Sequence, residues 1–219
     1  MTVPLTAEDT HRRLGKTSAY MDWLQMLSGV VLIIFMWSHL FLVSSVIIGP
    51  SVMNFIAWFF EVTRLVYIIG PGIFLVFLLH FVLAARKMPW TTRQQTAMWA
   101  NATRLHHQDT WLWLIQVGTA MVILIMGSAH MWVVLTDLPI TAAKSAARIQ
   151  SGTWLVFYLV LLPLVELHVG IGFYRIAVKW GFLSRARRQG FHLKESMLTI
   201  ILIIIGLVTL ARFMFLPLH

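Results

Sequence analysis

The chain has 219 residues, 59% of them hydrophobic and 11% charged, with a net charge of +9, a mean hydropathy of +0.80 and no cysteine. Soluble domains carry about a quarter charged residues, so this composition reads as an integral membrane protein. The missing cysteines exclude disulfides, thiolate metal sites, cysteine nucleophiles, iron–sulfur clusters held by this chain and covalent c-type haem.

The first twenty residues, MTVPLTAEDTHRRLGKTSAY, are polar and open no apolar core, so no cleavable signal peptide is expected. Five apolar stretches follow, at about 23–48, 65–85, 110–135, 153–178 and 196–216. Roughly 18 apolar residues suffice to cross a bilayer. Each stretch must be a helix, because an open sheet leaves its backbone unsatisfied in lipid. The fold expected is all-α: one membrane-embedded domain over 1–219, a bundle of five transmembrane helices. Pro71 and Pro163 lie inside spans, where a helix can kink. Tryptophans such as Trp23, Trp58, Trp90 and Trp180 gather near span ends, as an interfacial aromatic belt does.

Lysine and arginine set the direction. One side collects thirteen: Arg12, Arg13 and Lys16; Arg86, Lys87, Arg93 and Arg104; Arg175, Lys179, Arg185, Arg187, Arg188 and Lys194. The other side has four: Arg64, Lys144, Arg148 and Arg212. The N-terminus is therefore expected in the cytoplasm and the C-terminus outside. The basic residues sit in short loops beside spans, so topology explains them better than nucleic-acid binding.

Four histidines fall inside spans, one on each of the first four helices: His39, His80, His130 and His168. Any one alone could be a core histidine with a backbone partner. Four unpaired imidazoles in lipid would be costly, and haem offers each an axial position. At ~1.5 Å per residue and with the inferred direction, they sort into two layers. His39 and His130 lie toward the outside, His80 and His168 toward the cytoplasm. Two stacked bis-histidine b-type haems follow. Gly127, Gly172 and Ala84 share helix faces with His130, His168 and His80, and such small residues leave room for a flat macrocycle. A zinc or di-iron site would need carboxylates and histidines converging on one place.

The motifs MDWLQ (21–25), MWSHLFLVSS (36–45), LHFVLAARKMP (79–89), HQDTWLWLIQ (107–116), MGSAHMW (126–132) and VELHVGIGFYRIAVKWG (165–181) resemble a known family. It is the five-helix, dihaem cytochrome b membrane-anchor subunit of quinol:fumarate reductase, within the succinate:quinone oxidoreductases. The likeness runs from about residue 20 to 210.

It implies an enzyme subunit of the bacterial cytoplasmic (inner) membrane that oxidises menaquinol near the outer haem. Electrons would pass through the His39/His130 haem and the His80/His168 haem to an iron–sulfur subunit. An FAD-containing flavoprotein on the same cytoplasmic face would then reduce fumarate to succinate. Whether two such heterotrimers pair stays open. Glu61, in FFEVTR, is expected to precede the second helix on the outer side; an acid at this place serves the quinol site in the family, as proton acceptor. Asp137 is a weaker rival, and for Glu61 a solvated carboxylate at a helix start is the bland alternative.

Glu166 falls near the membrane midplane between the haem layers. A carboxylate there is expensive; a proton relay is what the resemblance supports, against a static hydrogen bond between helices. Gln25, Trp113 and Lys179 match positions that serve the inner haem's propionates in relatives, and each could equally be interfacial decoration.

Rival readings remain. A succinate:menaquinone reductase would run the same architecture in reverse. Cytochrome b subunits of hydrogenases or formate dehydrogenases commonly place two ligand histidines on one helix, and no span here has two. An intramembrane proton transporter would use Glu166 and the histidines without haem. A pure anchor would hold haem for assembly alone.

Overall fold

The computed structural model describes residues 7–218, with side chains from residue 15 onward. The basic residues Arg12 and Arg13, counted above for direction, have side chains outside that range, as does His219. Eight α-helices are present among the described residues: α1 Ala7–Ser44, α2 Pro50–Val62, α3 Val66–Ala85, α4 Thr92–Leu105, α5 Gln108–Thr136, α6 Ala142–Gln150, α7 Thr153–Lys179 and α8 Arg188–Met214.

Five segments are long and apolar enough to cross a membrane: Gly15–Ile47, Val66–Ala85, Gln108–Thr136, Thr153–Lys179 and Arg185–Met214. They coincide with the five expected spans within a few residues at most ends. The exceptions are the starts of the first and last, because α1 and α8 extend through polar sequence before entering their apolar parts. Outward residues such as Ile68, Leu75, Ile125 and Ile204 are more than half exposed, which suits a lipid-facing surface. Both α3 and α7 run on through their internal prolines, Pro71 and Pro163.

The other three helices lie where the sequence was read as loop. Each has local signals too short to register as a span. Proline occupies the first turn of α2. Thr91 and Gln94 form a reciprocal capping box at the start of α4, with Thr91 Oγ1 accepting from Gln94 N and Gln94 Oε1 accepting from Thr91 N. Thr141 caps α6 by accepting from Lys144 N. Glu61 sits in the last turn of α2, ahead of the second span, Val66–Ala85.

α7 packs against both α5 and α8, and α1 against α3. One end of the bundle carries Asp22 and the other Glu61. At the Glu61 end, α1, α2, α6 and α8 close on a buried cluster of Val46, Met53, Ala142, Ala146, Ile149, Phe213 and Leu216. Gln150 Nε2 donates there to the carbonyls of Phe213 and Leu216, satisfying the C-terminus of α8. The middle of the bundle is not filled by side chains. It holds a cavity of about 1190 Å³ reaching from Asp22 to Asp137 and lined by all of the spans.

Candidate haem site

All four intramembrane histidines line this cavity. His39 on α1 and His130 on α5 face each other near the Glu61 end, with ring centroids 6.0 Å apart. A metal ion held at about 2.1 Å by one nitrogen of each ring fits between rings so spaced. His80 on α3 and His168 on α7 line the cavity toward the Asp22 end. No group of three or more His, Cys, Asp or Glu converges among the described residues, so the arrangement is pairs, not a metal cage.

Hydrogen bonds define which nitrogen each ring offers. Ser28 Oγ donates to the Gln25 carbonyl (3.0 Å) and lies 3.0 Å from His80 Nδ1. Its single proton is already used, so His80 Nδ1 must carry the hydrogen and donate. Thr119 repeats the device. Its hydroxyl donates to the Ile115 carbonyl (2.8 Å) and accepts from His168 Nδ1 (3.0 Å). The Gln116 carbonyl, 3.1 Å from the same nitrogen, can accept only from an N–H, which agrees. His130 Nδ1 pairs with Tyr158 Oη at 3.0 Å. With Nδ1 protonated, as at His80 and His168, Nε2 keeps its lone pair and is free to ligate a metal. These second partners hold the rings in a ligand-ready tautomer.

The cavity also fits a large flat group. It exceeds the few hundred to 1,000 Å³ of an ordinary ligand pocket. A Cβ added at Gly29 would lie 3.1 Å from His80 Cε1, and one at Gly172 would lie 3.1 Å from Gln116 Nε2. Two polar atoms on the wall are buried without a partner among the described residues, Gln25 Oε1 and Arg175 Nη1. They suit the polar edge of a bound group near the Asp22 end.

Asp22 is the hub of that end. It accepts from Arg86 (2.6 Å), Lys87 and Lys179 (2.8 Å), tying α1 to the ends of α3 and α7. Burial pushes the Lys87 ammonium below its ordinary value, against the pull of the Asp22 carboxylate. Trp113 and Lys179 line the cavity as well, Lys179 with its ammonium 5.4 Å from the Trp180 ring.

Glu166 is 2% exposed and lines the cavity on α7, two residues from His168. Glu61 does not line it. Its Oε1 accepts from the backbone N–H of Ile140 (2.6 Å), and Ile140 lies on the cavity wall. Asp137 is on the wall, paired with Lys144 (3.0 Å) and Arg148 (2.7 Å). Lys144 first, then Arg148, holds its carboxyl below the usual carboxylate range.

Sequence reasoning missed Ser28, Thr119 and Tyr158. The available signal was a hydroxyl residue inside an otherwise apolar stretch, near enough in depth to a histidine on another helix.

Five helices apolar enough to cross a membrane, with histidines lining a cavity between them, define an α-helical transmembrane subunit. The family model for the succinate dehydrogenase/fumarate reductase transmembrane subunit matches residues 92–211. Fumarate reductase cytochrome b subunits from two strains of Helicobacter pylori are each 34% identical over 207 residues, covering 90% of this chain and 81% of theirs. The fumarate reductase cytochrome b subunit of Wolinella succinogenes is 32% identical over 215 residues, covering 92% of this chain and 84% of its own. The chain belongs to the succinate dehydrogenase/fumarate reductase transmembrane subunit family.

Proposed function

We propose that this chain is the membrane-anchoring cytochrome b subunit of a quinol:fumarate reductase, set in a bacterial cytoplasmic membrane with its N-terminus in the cytoplasm. The observation that carries the reading is that His80 Nδ1 and His168 Nδ1 each lie 3.0 Å from a hydroxyl that donates to its own backbone carbonyl, which supports a free Nε2 on both rings. A proton-transporting bundle has no need of histidine pairs around a cavity of this size.

His39 and His130 would hold one b-type haem, and His80 and His168 a second. When bound, the haems supply one-electron carriers between menaquinol at the Glu61 end and an iron–sulfur subunit at the Asp22 end. Gln25, Trp113, Lys179 and Arg175 would meet the inner haem's polar edge. Glu61 would take a proton from the quinol; with Oε1 fixed by Ile140 N–H, Oε2 is the oxygen left to reach a quinol hydroxyl. Glu166 would hold or pass a proton inside the bundle. The iron–sulfur subunit and an FAD-containing flavoprotein, where fumarate is reduced, would dock on the basic cytoplasmic face.

A redox titration of the purified complex, with α-band absorbance and low-spin ferric EPR, tests this. Two b-type components are expected, one lost in His39→Ala with the other kept. Glu61→Gln should abolish quinol oxidation while both haems remain. Absence of haem would refute the reading and bring the proton-transporter alternative forward. Midpoint potentials well above those of menaquinone would favour succinate oxidation instead.

A further inference from the structure

Asp22 holds more cations than it can neutralise. Its side chain is 24% exposed; Oδ1 accepts from Arg86 Nη2 (2.6 Å) and from Lys87 Nζ, and Oδ2 from Lys179 Nζ (2.8 Å). One negative charge therefore meets three positive ones, and the cluster keeps an excess of positive charge. Among the described residues no other acid forms an ion pair with any of the three. The cluster also has two sides. Asp22, Lys87 and Lys179 line the cavity, whereas Arg86 does not, so Arg86 grips the carboxylate from behind the wall.

Two helices give the same spacing between this cluster and the inner pair of histidines. On α1, Asp22 precedes Ser28 by about 9 Å of axial rise, and Ser28 Oγ is 3.0 Å from His80 Nδ1. On α3, Arg86 at the C-terminal end follows His80 by about 9 Å as well. His39 is far away, about 26 Å along α1 from Asp22. An iron that takes one electron lowers the charge of its site by one. A nearby anion therefore opposes reduction and a nearby cation favours it. At an effective dielectric of about 20, one unit charge about 12 Å away is worth roughly tenfold in an equilibrium constant.

We propose that Asp22 sets the reduction potential of the inner haem site, offsetting one of the three cations that it also holds in place. The proposal rests on the reading of His80 and His168 as haem ligands. Unopposed, the three cations would retain an electron at this end of the bundle. Asp22 trims that pull, so an electron reaching the inner site is passed on toward the iron–sulfur subunit. Asp22 is a positioning residue: its oxygens bond to the cations, and it acts through them and through its own charge.

The test compares Asp22→Asn, Asp22→Glu, Arg86→Gln and the double variant Asp22→Asn/Arg86→Gln in the intact complex. Each is titrated by redox potential, with haem content measured alongside. The outer component is identified as the one lost in His39→Ala. Asp22→Asn should favour reduction of the inner component about tenfold, an upward shift of about 59 mV for a one-electron couple. The outer component should move by less than half as much, being more than twice as far away. Arg86→Gln removes a cation from the same cluster and should lower the inner midpoint. The double variant restores the net charge and should return the midpoint close to its starting value. Asp22→Glu keeps the charge and should change it little. Loosened packing would move Asp22→Asn and Arg86→Gln in the same direction, and that result overturns the proposal. So does an inner midpoint unmoved in Asp22→Asn. If Asp22→Asn fails to retain the inner haem, Arg86→Gln still reads the sign, and a raised or unmoved midpoint there overturns the proposal. A complex without any b-type component would sink the proposed function itself. Two intact components with no inner shift would sink the charge setting alone.

Discussion

Tyr158→Phe isolates the contribution of one hydroxyl to the histidine pair at the Glu61 end. His130 Nδ1 meets Tyr158 Oη at 3.0 Å. The phenyl ring would keep its packing on Trp154 and Phe157, so the change removes the hydroxyl's contacts to His130 and Arg148 and little else. A buried ring nitrogen left unpaired costs about 1–3 kcal/mol. Loss of a second partner of a metal-bound histidine typically lowers affinity about 10–100-fold, which is about 1.4–2.8 kcal/mol at 1.4 kcal/mol per decade. The two estimates agree. Thr119→Val is the matched control. It removes a hydroxyl from His168 Nδ1 but leaves the Gln116 carbonyl at 3.1 Å. Its loss should stay under tenfold. Haem bound per polypeptide across a haem titration, read at the α-band, distinguishes them. Equal losses in the two variants, or none in Tyr158→Phe, would refute the argument that Nδ1 partners set ligand readiness.

Three further outcomes follow from packing and charge. Gly29→Ala should crowd His80, which Ser28 holds in place, and lower haem retention at the Asp22 end while His39 and His130 keep theirs; EPR of the two ferric components reads this separately. Gln150→Leu should remove two donors from the α8 C-terminus and cost about 1–3 kcal/mol, seen as a lower denaturation midpoint with unchanged haem spectra. Asp137 has a folded pKa below its unfolded value, because Lys144 and Arg148 favour its charged form. Its contribution is therefore complete above the unfolded carboxylate pKa, near 4, and fades as pH falls through the lower folded value. Stability curves of the unaltered chain and Asp137→Asn should differ slightly at pH 7 and converge in acid. A difference that grows in acid would contradict the sign.

The five spans were readable because lipid enforces one rule, a continuous apolar stretch of sufficient length, and the sequence obeys it almost without interruption. The three short helices α2, α4 and α6 obey a different rule. Their signals are a proline in the first turn or a threonine cap, each a few residues long and easily taken for loop punctuation. That difference bears on Glu61, which does precede the second span but sits in the last turn of a helix of its own. Chain order alone placed it ahead of the next span. The helix that actually carries it ends there and points its carboxylate at Ile140, which is far away in sequence and near in space.

The histidines show how far one-dimensional reasoning reaches inside a bundle. Depth follows from counting residues along each helix, so layers could be assigned from spacing and loop charge. Azimuth does not follow, because the spans are apolar all round and carry no polar face to orient them. What fixes three of the four rings is a hydroxyl on a neighbouring helix: Ser28 from α1 for His80, Thr119 from α5 for His168, Tyr158 from α7 for His130. Serine and threonine in transmembrane helices usually return their proton to their own backbone, which makes them look inert in a sequence. Here that habit is what gives them a use. By spending the proton locally, each leaves a lone pair that can accept only from an imidazole N–H. The neighbouring helix thereby selects the tautomer of a residue it does not contain.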